Sequence, residues 1–218
     1  MKKLFIIFFG IALCALVSEM SSAARNRIRP VAAAHRACHF KGVVPENSTV
    51  GVKMAARFGY KFIEGDVRYT SDSVMVLMHD KTINRTMRNA ADYSKIEHPI
   101  YVSQTSFEQL RNNYVFESSN PEYRIALPTL EEQLLTCREC GITPILHSSI
   151  PESYELAQKI MGDNWVCFNA KYENIIKARE FSKCLILWDP KEYQGEQDGV
   201  KYSELIHTSY YSTTCEKQ

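Results

Sequence analysis

The 218-residue sequence carries no excess of charge: 26 lysines and arginines stand against 25 aspartates and glutamates, a formal net charge of +1. That balance implies no basic face, so nucleic acid is not an expected partner. There is no internal repeat, no low-complexity stretch and no sign of a second domain. Apolar residues at 45% and charged residues at 23% exclude a disordered or collagen-like chain. Long hydrophobic runs are missing too. The one sustained run, residues 4–17, is too short to span a bilayer comfortably, and no later segment could do so.

What that run offers is an export signal. Lys2 and Lys3 precede it, and Ser21-Ser22-Ala23 supplies small residues at the cleavage spacing, the n, h and c order of a secretory leader. Residues 1–23 therefore read as a removable signal, and residues 24–218 as one exported domain, periplasmic or extracellular. Loss of Lys2, Lys3 and Glu19 brings the formal charge to zero. Six cysteines remain: Cys38, Cys137, Cys140, Cys167, Cys184 and Cys215. An even number permits disulfides in an oxidising compartment but leaves their pairing open. Cys137 and Cys140 have redox or zinc spacing, yet no second pair matches them and they close a helical segment. A structural role is expected for them.

Short apolar runs alternate with capped helical segments. Strand signals fall at residues 31–34, 62–67, 74–78, 142–146, 165–168 and 185–188. Asn47 or Ser48 can cap a helix reaching about Arg57, and capping-box pairs follow at Thr105 with Glu108, Thr129 with Glu132 and Ser149 with Glu152. Gly141 and Gly162 stand where the last two helices should stop, a further helix is expected at about residues 170–181, and a weak one at about 201–206. Alternating strand and helix is the pattern of a parallel α/β fold. The gap between the second and third strand runs is too short for a parallel crossover, so those two form a hairpin. Centring it between Ser71 and Asp72 sets Glu64 opposite His79.

Three clusters carry chemistry: His35-Arg36 after the first strand, Glu64-Gly65-Asp66 on the second, and His79-Asp80 closing the hairpin. Strand ends are where parallel α/β folds place their sites. Glu64 and Asp66 are two apart on a strand and share a face. Two partly buried carboxylates repel unless a cation joins them, and a hard divalent ion suits oxygen ligands. Arg36 offers a planar fork for phosphate, and His35 and His79 can divide acid and base work near neutral pH. Taken singly, each feature also fits an ordinary structural histidine or a solvated strand face. Together they point to hydrolysis of a phosphate ester.

The series resembles the glycerophosphodiester phosphodiesterase family, whose hallmark is an HR…ExD…HD order. Pro45-Glu46-Asn47-Ser48, Ile83-Asn84-Arg85-Thr86 and Leu127-Pro128-Thr129-Leu130-Glu131-Glu132 extend the resemblance, which covers roughly residues 31–190. It implies a TIM-type (β/α) barrel of the phospholipase-C-like phosphodiesterase kind. It also implies metal-dependent hydrolysis of a small glycerophosphodiester to glycerol 3-phosphate and an alcohol. By that resemblance His35 and His79 are the acid/base pair, Arg36 holds phosphate, Glu64 and Asp66 bind metal, Glu46 supports the site and Asp80 orients its loop.

The family usually carries a third metal-binding glutamate in an ExK motif; the matching strand here ends in His147-Ser148-Ser149. His147 is thus expected as the third ligand. Ca²⁺ or Mg²⁺ is the first expectation, with Zn²⁺ or Mn²⁺ open because imidazole suits them. A full barrel takes about 250 residues, so this one is expected to be incomplete on its C-terminal side. The alternative function is a catalytically impaired relative that binds phosphodiesters; a phosphoinositide-cleaving lyase is a third reading that the ExD and HD spacing disfavours.

Overall fold

The computed structural model describes residues 32–169, 172–181, 185–187, 196–197, 200–201 and 205–206. Strands β1 (Ala33–Ala34), β2 (Phe62–Tyr69), β6 (Thr143–His147), β7 (Val166–Phe168), β8 (Leu185–Leu187) and β11 (Leu205–Ile206) lie side by side, all parallel, in chain order. The helices between them are α1 (Thr49–Arg57), α3 (Leu130–Cys140), α4 (Pro151–Met161) and α5 (Tyr172–Phe181). Each packs on the next, α1 on α3, α3 on α4 and α4 on α5. That is the outer layer of a TIM-barrel-type fold. Among the described residues the sheet runs from β1 to β11 and does not close.

Packing follows from the sequence pattern. Leu130, Leu134, Tyr154, Ala157 and Trp165 are buried with Leu146 and Cys167 of the sheet. Ile63 packs with Val52, Ala55 and Cys137. Thr129 and Glu132 form the expected capping box, and Gly141 closes α3 in the left-handed conformation, φ 65°. Ser48 rather than Asn47 caps α1, its Oγ accepting from the Gly51 N–H at 3.0 Å. A Cβ on Gly51 would stand 2.8 Å from the Cys38 carbonyl, so only glycine lets α1 approach the loop after β1 so closely.

The segment between β2 and α3 folds on its own core. Strand β3 (Met75–Leu77) returns antiparallel along β2. Beyond it β4 (Met87–Asn89) pairs with β5 (Tyr114–Phe116), with α2 (Phe107–Asn113) between them. Val76, Met78, Ile83, Met87, Val102, Leu110, Phe116 and Leu127 form its interior.

Several expectations need correction. The hairpin register is one residue off: Val67 faces Leu77 and Arg68 faces Val76, so Met78 rather than Leu77 comes opposite Asp66, and His79 does not stand opposite Glu64. The cause is the turn. Ser73 adopts φ 61° and Thr70 bonds Val74 in both directions, so the loop holds three residues and centres on Asp72. The α2 capping box is Ser106 with Gln109 rather than Thr105 with Glu108. Helix α4 has no side-chain cap; Pro151 opens it, and Ser149 and Glu152 form no box. The helix expected at residues 201–206 is not there: Val200–Lys201 and Leu205–Ile206 are strands, the former paired with β9 (Glu196–Gln197) as β10.

Cys38 is disulfide-bonded, while Cys137 and Cys140 are free thiols. Burial pushes the Cys137 thiol far up, which fits a packing role for the Cys137/Cys140 pair. The export signal at residues 1–23 and Cys184 and Cys215 lie outside the described residues. Among the described residues no helix is long and apolar enough to cross a membrane.

Candidate metal and phosphate site

The site starts with an unusual stretch of backbone after β1. Arg36 and Ala37 both take positive φ, 50° and 59°, as does Asn47 at 53°. Such conformations cost non-glycine residues of order 1–3 kcal/mol and persist only where surroundings enforce them. Here they are enforced. The Ala37 N–H donates to the Glu64 carbonyl at 2.7 Å, the Arg36 N–H to Glu64 Oε2 at 2.9 Å, and the Asn47 N–H to the Arg36 carbonyl at 2.7 Å. The turn thereby holds His35 and Arg36 against Glu64 of β2.

Glu64 and Asp66 sit on one face of β2, as the strand period requires, with β6 alongside so that Asp66 pairs with His147. Between them Gly65 faces the other way, where a Cβ would press within 3.2 Å of Gln133 and Leu77. Glu64 is 1% exposed. Burial, and then the charge of Asp66, pushes its carboxyl up to about 7. Burial works the same way on Asp66, but hydrogen bonds from His147 and Asn47 outweigh it and hold that carboxyl below its ordinary value. Asn47 donates from Nδ2 to Asp66 Oδ2 at 3.0 Å, and its Oδ1 accepts from the Asp66 backbone N–H at 3.1 Å, which fixes the amide in place. His147 Nδ1 lies 3.2 Å from Asp66 Oδ1 and 3.8 Å from Glu64 Oε1.

Glu64, Asp66 and His147 each offer a ligand atom, all within 4.8 Å of one another. Metal–ligand distances of roughly 2.0–2.6 Å make that a span one divalent cation can close. The donor set fits such an ion: two carboxylates, one of them fully buried and held partly protonated, need positive charge between them. Arg36 does not fully supply it. Its Nε is 3.7 Å from Asp66 Oδ2 and is buried without a hydrogen-bond partner.

A second set of charges lies beside the first. Arg36 Nη1 donates to Glu46 at 3.3 Å. Glu46 and Asp80 share Arg85, and Asp80 Oδ1 accepts from His79 Nδ1 at 2.7 Å. Arg68 holds the loop from beneath, donating from Nε to the Met78 and His79 carbonyls. His35 Nε2 is 3.8 Å from Glu64 Oε2, and burial, reinforced by the charge of Arg36, lowers the His35 imidazole below its ordinary value. A cavity of about 590 Å³ opens beside Asp66 and His147, lined also by Arg68, Lys81, Tyr101 and Ser103.

All eight site residues expected from the sequence therefore stand in one neighbourhood: His35, Arg36, Glu46, Glu64, Asp66, His79, Asp80 and His147. Two more were not singled out, Asn47 and Arg85. Both lie inside quoted motifs, Pro45-Glu46-Asn47-Ser48 and Ile83-Asn84-Arg85-Thr86, and that placement was the available signal.

Comparison with known proteins bears on this arrangement. The family model described as "Glycerophosphoryl diester phosphodiesterase family" matches residues 35–210. Glycerophosphodiester phosphodiesterase 1 from Mus musculus is 33% identical over 124 residues, 55% of this chain and 34% of that protein. Glycerophosphodiester phosphodiesterase from Bacillus subtilis is 29% identical over 136 residues, 60% of this chain and 45% of that protein. The chain thus spans about a third of the length of the first curated relatives it matches. Among solved structures, a phosphodiesterase of Oleispira antarctica in complex with the product sn-glycerol-3-phosphate superposes with a TM-score of 0.56. It is 20% identical and covers 73% of this chain and 65% of its own, a likeness of fold.

Proposed function

The chain belongs to the glycerophosphoryl diester phosphodiesterase family, and we propose that it is a metal-dependent hydrolase that cuts glycerophosphodiesters into sn-glycerol 3-phosphate and an alcohol. The observation that carries this reading is the convergence of Glu64, Asp66 and His147 within 4.8 Å beside Arg36 and two histidines. The relatives' names and the product bound in the Oleispira protein support the choice of substrate.

Each residue has a part that its surroundings suit. Glu64, Asp66 and His147 would hold the cation. When bound, it supplies charge neutralisation at the phosphate. Arg36 turns its guanidinium fork to a phosphate oxygen, with Glu46 fixing the other edge. His35, kept neutral by burial, accepts the proton of the attacking water. His79, its Nδ1 bound to Asp80, delivers a proton from Nε2 to the departing alcohol oxygen, so the two histidines end the cycle with their protons exchanged. Ca²⁺ or Mg²⁺ suits the two carboxylates, and Mn²⁺ or Zn²⁺ suits the imidazole. Export is part of the same reading, supported by the leader-like first 23 residues and by the disulfide at Cys38.

One contact favours a second reading. The 3.2 Å approach of His147 Nδ1 to Asp66 also suits a plain hydrogen bond, which would leave a weak cation site and a protein that binds phosphodiesters without turning them over. Phosphorus NMR on glycerophosphocholine and glycerophosphoethanolamine separates the two. Chelated protein is expected to be idle and to produce glycerol 3-phosphate once a divalent cation is added; binding without product under every cation supports the second reading instead.

A further inference from the structure

We propose that Arg85 is a positioning residue that ties the acid/base histidine His79 and the phosphate-facing Arg36 into one frame, an inference that rests on the hydrolysis proposed above. The geometry carries it. A single guanidinium forks to two carboxylates at once. Nε and Nη2 donate to Asp80 Oδ2 and Oδ1 at 2.6 and 3.2 Å; Nη1 and Nη2 donate to Glu46 Oε2 and Oε1 at 2.9 and 2.6 Å. Asp80 passes the constraint to His79 through the 2.7 Å bond at Nδ1, and Glu46 passes it to Arg36 at 3.3 Å.

The linkage joins two loops that are far apart in the chain. Glu46 lies in the loop before α1, and Arg85 in the inserted segment 39 residues later. Both carboxylates are kept charged by this contact. Hydrogen bonding to Arg85 is the main cause that takes Asp80 down to about 2. For Glu46, burial pushes upward and the Arg85 hydrogen bonds outweigh it. A charged Asp80 is an acceptor only, so His79 keeps one proton on Nδ1, and the proton it delivers to the leaving oxygen is a second one, carried on the Nε2 that faces the substrate. Without Arg85, Asp80 is free to turn away and Glu46 to swing with Arg36. Lysine cannot replace this arrangement, because one ammonium lacks the planar fork that grips two carboxylates in parallel.

The test compares Arg85→Lys and Arg85→Gln with the parent chain. Nitrogen-15 NMR of the His79 imidazole, assigned by its absence in His79→Gln, reads the positioning without any turnover. The parent is expected to show the neutral ring protonated at Nδ1, and both Arg85 variants a mixture of tautomers. In kinetics, misplacing a reacting group by about 1 Å costs on the order of 10²-fold. Both variants should therefore lose about 10- to 100-fold in kcat, with a smaller rise in KM from the loosened Arg36. Asp80→Asn added to Arg85→Gln should cost little more than the worse single change, because both cut one linkage. An unchanged His79 tautomer in Arg85→Gln, or a fully active Arg85→Lys, overturns the inference. Absence of turnover in the parent with the tautomer shift intact counts against the hydrolase reading alone.

Discussion

Four carboxylates gather at the site in two pairs of opposite character. The outer pair, Glu46 and Asp80, shares Arg85, and both carboxyls are held below their ordinary values. The inner pair, Glu64 and Asp66, is approached by Arg36 Nε at 3.7 Å and by the imidazoles of His35 and His147 rather than gripped by one guanidinium, and burial forces Glu64 up to about 7. One pair carries its counter-ion in the chain. The other keeps a fully buried carboxyl whose charged form is disfavoured, and that is the physical ground for proposing a cation there rather than at the equally acidic outer pair.

Neutralising one pair at a time is the sharpest way to break the comparison. Asp66→Asn should abolish cation binding and cost turnover on the order of 10²-fold or more, since a bound cation contributes several kcal/mol to a charged transition state. Asp80→Asn should leave cation affinity unchanged and lower kcat by roughly 10-fold, the smaller effect of a misaligned acid/base group. Equal loss of cation binding in both variants, measured by calorimetry, would erase the distinction between the pairs.

A smaller effect concerns which ion is chosen. His147→Glu combined with Ser149→Lys replaces a nitrogen donor by oxygen and adds a cation for the phosphate. Ca²⁺ or Mg²⁺ affinity should rise by roughly 10-fold relative to Zn²⁺ or Mn²⁺. An unchanged ratio would mean that His147 does not touch the ion.

The smallest effect is thermal. In metal-free protein Glu64 binds a proton more readily folded than unfolded, so its contribution is present below its ordinary 4.5 and is lost as pH rises through about 7. His147, raised chiefly by its hydrogen bond to Asp66, works in the same direction; His35, lowered by burial, opposes it. Glu64→Gln removes the largest of these. Its melting temperature should match the parent near about pH 5 and exceed it by roughly 2–4 °C near about pH 8. Saturating cation should cancel that advantage, because the parent then gains its missing charge.

The comparison also explains what could be read from residues alone. The inner pair was legible because a strand has period two: Glu64 and Asp66 share a face whatever surrounds them. His147 was legible through the family resemblance, as the residue standing where that family carries its third glutamate. The hairpin register was not, because Ser73 takes a left-handed conformation that no residue type announces, and the three-residue loop it allows sets Met78 rather than Leu77 against Asp66. Thr105/Glu108 and Ser106/Gln109 both satisfy the capping-box pattern; the fold selects the second, with Thr105 Oγ1 donating instead to the Tyr101 carbonyl at 2.9 Å and the Phe107 N–H to Asp72 Oδ1 at 2.9 Å. The pairing of Met87–Asn89 with Tyr114–Phe116 joins three-residue strands with a helix between them, too short to show any period. Arg85 was hidden for a related reason. Its partner Glu46 is 39 residues away, and a fork between two loops leaves no local pattern.

The most direct test of the two-pair account is a calorimetric titration of Mn²⁺ into chelator-treated parent, Asp66→Asn and Asp80→Asn. The account predicts one binding site in the parent, none in Asp66→Asn, and an undiminished site in Asp80→Asn. Binding that survives in Asp66→Asn but disappears in Asp80→Asn would contradict it.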